Sequence, residues 1–221
     1  MISETKLAEM LCTRLCHDLT GPIGAVNNGA EFLGDEGFDM QNEAVQLILS
    51  SAHEAVHRLM FYRLAYGRVG GSGEACLADK KQIATDFFSG TKIKLDWPDS
   101  HTDASGISIS QKMARLMLNL MIITGASLIR GGSLAIRLSA TDNEKQITLT
   151  ASGDHIKLDP DTQAILRGEG TDAMLTPKSA QPFLAMKILE EVGANLSFEL
   201  HSDRLEVVVR QRQVLLASAV H

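Results

Sequence analysis

Two apolar stripes in the first third of the chain constrain its fold more than any other feature. The first stripe repeats at intervals of three or four residues: Leu7, Leu11, Leu15, Leu19, Ile23 and Val26. The second stripe follows a similar spacing: Val45, Ile48, Leu49, Ala52, Val56, Leu59 and Met60. Such spacing places apolar side chains on one face of an α-helix. The stripes therefore predict two long helices, each on the order of 45 Å at roughly 1.5 Å per residue.

Capping and helix-breaking residues predict where the two helices begin and end. Ser3 can cap a first helix that runs to about Leu33, and the Gly-Asp-Glu-Gly sequence at 34–37 ends it. Asp39 then caps a second helix that reaches about Arg68. The short turn between them makes an antiparallel hairpin. Because one hairpin cannot cover both stripes, we expect a second copy of the chain to complete a four-helix bundle, so that the protein is a homodimer.

A glycine-rich linker separates the hairpin from a region with a different pattern. Residues 70–73 read Gly-Gly-Ser-Gly, and we predict a hairpin domain at 1–69, a linker at 70–76 and a second domain at 77–221. Helical patterns in the second domain cover about 79–88, 110–129, a short segment from 160, and 179–192. Strand patterns cover 93–97, 134–140, 146–150, 196–200 and 205–209. This α+β mixture predicts a mixed sheet with helices on one face.

The composition excludes several classes of function. The net charge is −6 and the pI is near 5.6, and no lysine-arginine cluster overrides this acidic balance, so we expect no nucleic-acid partner. No apolar run approaches membrane-spanning length, and residues 1–6 lack a secretory signal, so we expect no membrane partner. The odd number of cysteines, three, indicates a reducing compartment, and we expect Cys12 and Cys16 to lie in the core. These features together predict a cytoplasmic protein.

His17 stands off the first apolar stripe, directly beside Asp18. Its neighbours on the helix are small or polar side chains and a single cation: Thr13, Arg14, Thr20, Gly21, Gly24 and Asn28. An imidazole on such a face is accessible to another molecule, and Pro22 is expected to bend the helix just beyond it. Taken alone, this stretch also fits an ordinary solvated histidine.

A possible zinc motif lies on the second helix. The pattern H-E-x-x-H, typical of zinc proteases, occurs at His53, Glu54 and His57, and it places two imidazoles one turn apart with a carboxylate between them. Such a site needs a third ligand, and the residues directly after His57 contain no further histidine. Glu74 could act as a distant third ligand, but the glycine-rich linker lies between it and the motif, and Arg58 adds a cation beside the motif. We interpret the pair as a polar flank of the bundle and keep a zinc hydrolase as an alternative.

The arrangement of motifs resembles that of a sensor histidine kinase. Such kinases carry H-D-x-x-x-P, here His17 to Pro22, in a two-helix module followed by a linker and an α+β domain that binds ATP. The helix and strand pattern around the three ATP-binding boxes is kept in this sequence, but the residues that would contact magnesium, adenine or phosphate are replaced. The magnesium-binding asparagine falls at Ile123, the adenine-binding aspartate falls at Ala151, and the later glycine motif falls at 180–182, Ala-Gln-Pro. Isoleucine cannot coordinate magnesium, and alanine cannot accept a hydrogen bond from an adenine amine.

A chain that keeps the kinase-like pattern of helices and strands but has lost the residues that contact ATP resembles the bacterial histidine phosphotransferases of the ChpT type. The resemblance implies a dimeric helical hairpin followed by a degenerate Bergerat-type ATPase-like domain. Members of that family accept a phosphoryl group from the receiver aspartate of a hybrid kinase and pass it to response regulators. The resemblance also implies that His17 is phosphorylated and that Asp18 assists it. It implies no bound ATP or other cofactor, because the receiver domain would bring its own Mg²⁺.

The resemblance further implies a partner-binding surface around His17, formed by Thr13, Arg14, Thr20, Gly21 and Gly24. Three roles are open for Arg14, which could attract the phosphoryl group, pair with a carboxylate of the receiver domain, or form a salt bridge with Asp18 four residues later. Two other functions also remain open, an active histidine kinase with divergent ATP boxes and the zinc hydrolase. Detectable ATP binding would favour the kinase, and stoichiometric metal in the purified protein would favour the hydrolase.

Overall fold

The structure is a computed structural model, and it describes residues 3–34, 41–67, 73–99, 107–141 and 143–212. Its helices are α1 (Glu4–Gly34), α2 (Gln41–Tyr66), α3 (Leu77–Ser89), α4 (Gln111–Ala126), α5 (Pro160–Leu166) and α6 (Ala180–Glu191). Its strands are β1 (Ile93–Asp96), β2 (Gly132–Ala140), β3 (Glu144–Ser152), β4 (Asn195–Leu200) and β5 (Arg204–Arg212). A 3₁₀ turn at Asp172–Met174 precedes α6. This order of elements confirms the predicted α+β class.

Helices α1 and α2 form the predicted antiparallel hairpin. Asp18 in the middle of α1 lies level with Tyr62 near the end of α2, whereas Gly29 lies level with Ala44 near its start. The helices approach closely at Gly29, where a Cβ atom would lie 2.7 Å from Ile48 Cγ1. A larger residue at this crossing would therefore require the Ile48 side chain to move.

The predicted helix ends agree with the structure to within a few residues. Ser3 Oγ accepts a hydrogen bond from the N–H three residues later, at 3.5 Å, as an N-cap does. Helix α1 continues through Pro22 without interruption, and its last residue is Gly34. The predicted cap Asp39 and the predicted end at Arg68 lie outside the described residues.

The five strands form one mixed sheet in the order β1-β2-β3-β5-β4. Strand β1 is parallel to β2, and the remaining pairs are antiparallel. Alternate side chains of the three central strands are buried: Leu134, Ile136, Leu138, Ile147, Leu149, Ala151, Leu205, Val207 and Val209. Side chains of α4 and α6 belong to the same hydrophobic cluster as these strand residues. The mixed sheet with a helical layer, predicted from the sequence, is confirmed.

The hairpin and the second part of the chain share one hydrophobic core. Phe61 and Ala65, near the end of α2, are buried in the same cluster as α4 and the sheet. On α1, Leu11 and Leu15 pack against that cluster. Arg115 of α4 donates a hydrogen bond from Nε to the Ala65 carbonyl oxygen at 3.1 Å. The helical hairpin is therefore packed against the α+β part.

The last residues of the predicted linker are hydrogen-bonded to the segment before α4. Ala75 N–H donates to the Ile109 carbonyl oxygen at 2.9 Å, and Glu74 forms an isolated β-bridge with Ser110. Residues 70–72 lie outside the described part of the chain. The domain boundaries at 69 and 77 stay a prediction.

The second apolar stripe lies open on the surface of α2. Between 39% and 53% of each of these side chains is exposed: Val45, Leu49, Val56, Leu59 and Met60. On α1, Ile23 is 56% exposed. Among the helices of the described residues, none has both the length and the apolar character needed to cross a bilayer. An open apolar face of this length on a bundle helix is typical of a protein contact surface.

The prediction that Cys12 and Cys16 lie in the core is wrong, because both are exposed. The two cysteines are one turn apart, and Ile23 lies two turns beyond Cys16, so the three residues share one face of α1. Helical spacing predicts which residues share a face, but it does not predict whether another element covers that face.

Candidate functional site

His17 lies near the middle of α1, and its side chain is 87% exposed. Thr13, Thr20 and Gly21 on the same face are also exposed, while Gly24 is half-buried. A Cβ atom built on Gly21 or Gly24 would meet no atom within 4 Å. The imidazole is therefore surrounded by open space on the side that the sequence predicted.

Asp18 connects the exposed histidine to the interior. Its Oδ1 lies 3.2 Å from His17 Nδ1, and its Oδ2 accepts a hydrogen bond from the Tyr62 hydroxyl at 2.6 Å. Tyr62 is buried, and burial, followed by the hydrogen bond and charge of Asp18, raises the pKa of Tyr62 well above its ordinary value. The tyrosine therefore stays protonated and remains a hydrogen-bond donor to Asp18.

Arg14 is engaged with the rest of the chain. Its Nε lies 3.7 Å from Asp18 Oδ2, in the intrahelical salt bridge that was one of its predicted roles. Its Nη1 donates to the Lys178 carbonyl oxygen at 3.0 Å, in the segment before α6. The guanidinium therefore joins the site on α1 to the second part of the chain.

Two site residues on α2 were missed at the sequence level. Tyr62 bonds the Asp18 carboxylate, and Arg58 Nη1 donates to the Asp18 backbone carbonyl at 3.2 Å. The predicted hairpin could have indicated these two residues. In an antiparallel pair, positions equally distant from the turn lie level with each other, and that rule places Asp18 opposite this part of α2.

The residues of the altered ATP boxes are packed into the interior. Ile123 and Ala151 are buried, and the Asn119 side chain, fully buried, donates to the Ala65 carbonyl oxygen at 2.8 Å. Asn119 Oδ1 accepts from Gln181 Nε2 at 2.6 Å, and Gln181 Oε1 accepts from the Tyr66 hydroxyl. These side chains connect α2, α4 and α6 by buried hydrogen bonds.

A cavity of about 320 Å³ remains beside this network. Its lining includes Ile123 and Pro182 from the altered boxes, together with Arg14, Lys157 and Lys178. The side chains of Ile123 and Pro182 cannot coordinate magnesium or accept a hydrogen bond from an adenine amine, and the carboxylate in the lining is that of Asp159.

The second histidine motif has a different environment. The rings of His53 and His57 stack with their centroids 6.2 Å apart, and Glu54 forms a salt bridge with Arg58 at 2.6 Å. Among the described residues, no group of three histidine, cysteine, aspartate or glutamate side chains is arranged to hold a metal ion. Within the described part of the chain, therefore, no third side chain completes a zinc site with His53 and His57.

Comparison with known proteins decides the family. A family model described as the histidine phosphotransferase C-terminal domain matches residues 77–204, more than half of the chain. The chain belongs to the histidine phosphotransferase family. The family model covers the α+β part, which contains the altered ATP boxes.

Two further comparisons cover nearly the whole chain. Protein phosphotransferase ChpT of Brucella abortus (strain 2308) is 31% identical over 208 residues, which are 94% of this chain and 95% of that protein. A solved structure of a bacterial phosphotransferase superposes with a TM-score of 0.81 at 30% identity, covering 95% of this chain and 98% of the other. The predicted family, enzyme class and role in phosphorelay are confirmed.

Proposed function

We propose that His17 of this protein accepts a phosphoryl group from the receiver aspartate of a hybrid histidine kinase and passes it to the aspartate of a response regulator. The observation that carries this assignment is the exposed His17 ring, 87% accessible, with its Nδ1 beside Asp18 and its other nitrogen open to solvent. Membership of the histidine phosphotransferase family supports the chemistry. The proposal keeps the cytoplasmic location expected from the sequence.

For this transfer the chain has to supply only the nucleophile and its correct placement relative to the receiver domain. A neutral imidazole attacks the phosphorus of the receiver's aspartyl phosphate in line with the leaving carboxylate, and the reverse reaction loads the next aspartate. The receiver domain supplies Mg²⁺ from its own acidic pocket, which neutralises the phosphoryl oxygens. This chain then contributes the nucleophile and the surface on which the receiver docks.

The direct test mixes the purified protein with a phosphorylated receiver domain and measures phosphate on this chain. Phosphohistidine is labile in acid and stable in base, so the expected product is distinguished from phosphoserine and from aspartyl phosphate. Failure of this protein to acquire such phosphate from a panel of hybrid-kinase receivers would contradict the proposal.

A bulky side chain at Gly21 tests the docking surface. Gly21→Phe projects into open space one turn from His17, so we expect transfer to slow at least about tenfold while the melting temperature is kept. Gly34→Phe is the matched control, because Gly34 is equally open but lies at the far end of α1. Equal transfer rates for the two variants would show that the receiver does not approach along this face.

We also propose that the second part of the chain binds no ATP. The side chains of Ile123 and Ala151 carry no polar atoms, and the Gln181 amide is already bonded to Asn119 and Tyr66. Titration calorimetry with ATP and Mg²⁺ at millimolar concentration is expected to give no binding heat. A micromolar dissociation constant would instead favour the kinase alternative.

A further inference from the structure

We propose that Tyr62 is a positioning residue for phosphotransfer, which acts by holding the Asp18 carboxylate so that His17 carries its proton on Nδ1 and its lone pair on Nε2. The inference rests on the proposed role of His17 as the phosphoryl acceptor. It adds to that role a residue on a second helix, Tyr62 of α2.

The first step is the bond between the two helices. The Tyr62 hydroxyl on α2 donates to Asp18 Oδ2 on α1 at 2.6 Å, and Tyr62 is only 4% exposed. A hydrogen bond to a carboxylate from a buried donor is short and strong. Because this bond occupies one carboxylate oxygen, it fixes the direction in which the other oxygen points.

The second step is the rigidity of the tyrosine. The ring of Tyr62 stacks on Tyr66 with a centroid distance of 5.1 Å, and it meets Phe87 of α3 edge-on at 5.8 Å. These two ring contacts hold the Tyr62 ring, and with it the hydroxyl, in place.

The third step is the tautomer of His17. Asp18 Oδ1 lies 3.2 Å from Nδ1, and a carboxylate can only accept a hydrogen bond. The contact therefore requires the proton on Nδ1, which leaves the lone pair on Nε2. An exposed imidazole without this contact would distribute between both neutral tautomers.

The chemistry then balances without any further reagent. As Nε2 attacks the aspartyl phosphate, an N–P bond forms and the P–O bond to the receiver aspartate breaks, so a free carboxylate leaves. The ring keeps its Nδ1 proton and becomes positively charged. Asp18 stabilises this charge through the same hydrogen bond, and the reverse transfer restores the neutral ring. A fixed carboxylate thus helps in both directions.

The test removes a single hydroxyl group. Tyr62→Phe keeps the ring and its packing, and we expect its transfer rate from a phosphorylated receiver to fall roughly tenfold. Tyr66→Phe removes the same atom from the stacked neighbour, and its rate is expected to stay near that of the unmodified protein. An unchanged rate in Tyr62→Phe, or equal slowing in both variants, would overturn the inference.

A double-mutant cycle separates positioning from a general structural effect. If Tyr62 acts through Asp18, Tyr62→Phe should slow transfer by less than about twofold when it is introduced into an Asp18→Asn background. Full additivity of the two substitutions would mean that Tyr62 acts by another route, contrary to the inference.

Nitrogen NMR of the His17 ring reads the tautomer without any receiver domain. We expect the Nδ1–H form to predominate in the unmodified protein and the Nε2–H form to increase in Tyr62→Phe. Identical tautomer ratios would overturn the role of Tyr62, whatever the outcome of the transfer assays. By contrast, unmodified protein that shows the expected tautomer but accepts no phosphate would contradict only the proposed function.

Discussion

Replacing His17 by alanine is expected to lower phosphate acceptance from a receiver domain by more than about 10³-fold, because the substitution removes the nucleophile that we propose. The His17 side chain is 87% exposed, and its Nδ1 contacts the carboxylate of the adjacent Asp18. Little packing is lost, so the melting temperature and the circular dichroism spectrum should match those of the unmodified protein. Radiolabel transferred from a phosphorylated receiver and separated by electrophoresis measures the effect.

The controls are the two histidines of the other motif. His53→Ala and His57→Ala remove imidazoles from α2 and are expected to leave the transfer rate largely unchanged. Label on the His17→Ala protein would show that another residue accepts the phosphoryl group. Loss of label in His53→Ala or His57→Ala alone would move the site to α2.

We expect the substitution Leu49→Glu to break the hairpin dimer that we propose for this protein and to leave a folded monomer. The open face of α2 repeats over four turns: Val45, Leu49, Val56, Leu59 and Met60. In the proposed dimer, burial of this face and of Ile23 against a second hairpin would contribute several kcal/mol, at roughly 25 cal/mol per Å². A glutamate at the centre of the face would have to lose its hydration in the dimer, whereas in the monomer it stays in water. Multi-angle light scattering measures the mass of each variant.

The matched control is Ile129→Glu. Ile129 is an exposed apolar residue of the second part of the chain, 58% accessible, and it lies outside the α2 face. The control is expected to remain dimeric. A monomeric mass for the unmodified protein, or a dimeric mass for Leu49→Glu, would contradict dimerisation through the hairpin. Such a dimer would complete the four-helix bundle that the sequence predicted.

The helices and strands of this protein could be predicted from the sequence because short-range interactions determine them. Ser110 Oγ accepts from the Met113 N–H at 3.1 Å, and Asp159 Oδ1 accepts from the Thr162 N–H at 3.0 Å, so each cap lies within one turn of its partner. The apolar spacing of the two long helices is equally local. The family could also be inferred, since the losses at Ile123 and Ala151 are chemical changes at single positions.

Only the tertiary structure decided what surrounds His17. Asp18 meets Tyr62 across 44 positions of the chain, and Arg14 meets the Lys178 carbonyl across 164. Periodicity cannot pair such residues, because it reports the face of one helix and not the element that packs against it. For the same reason the sequence marked Cys12 and Cys16 as core residues, although no other element in the described chain covers their face of α1. The sequence by itself determined the secondary structure, the family and the acceptor histidine as a hypothesis, and packing between distant elements determined which side chains support that histidine.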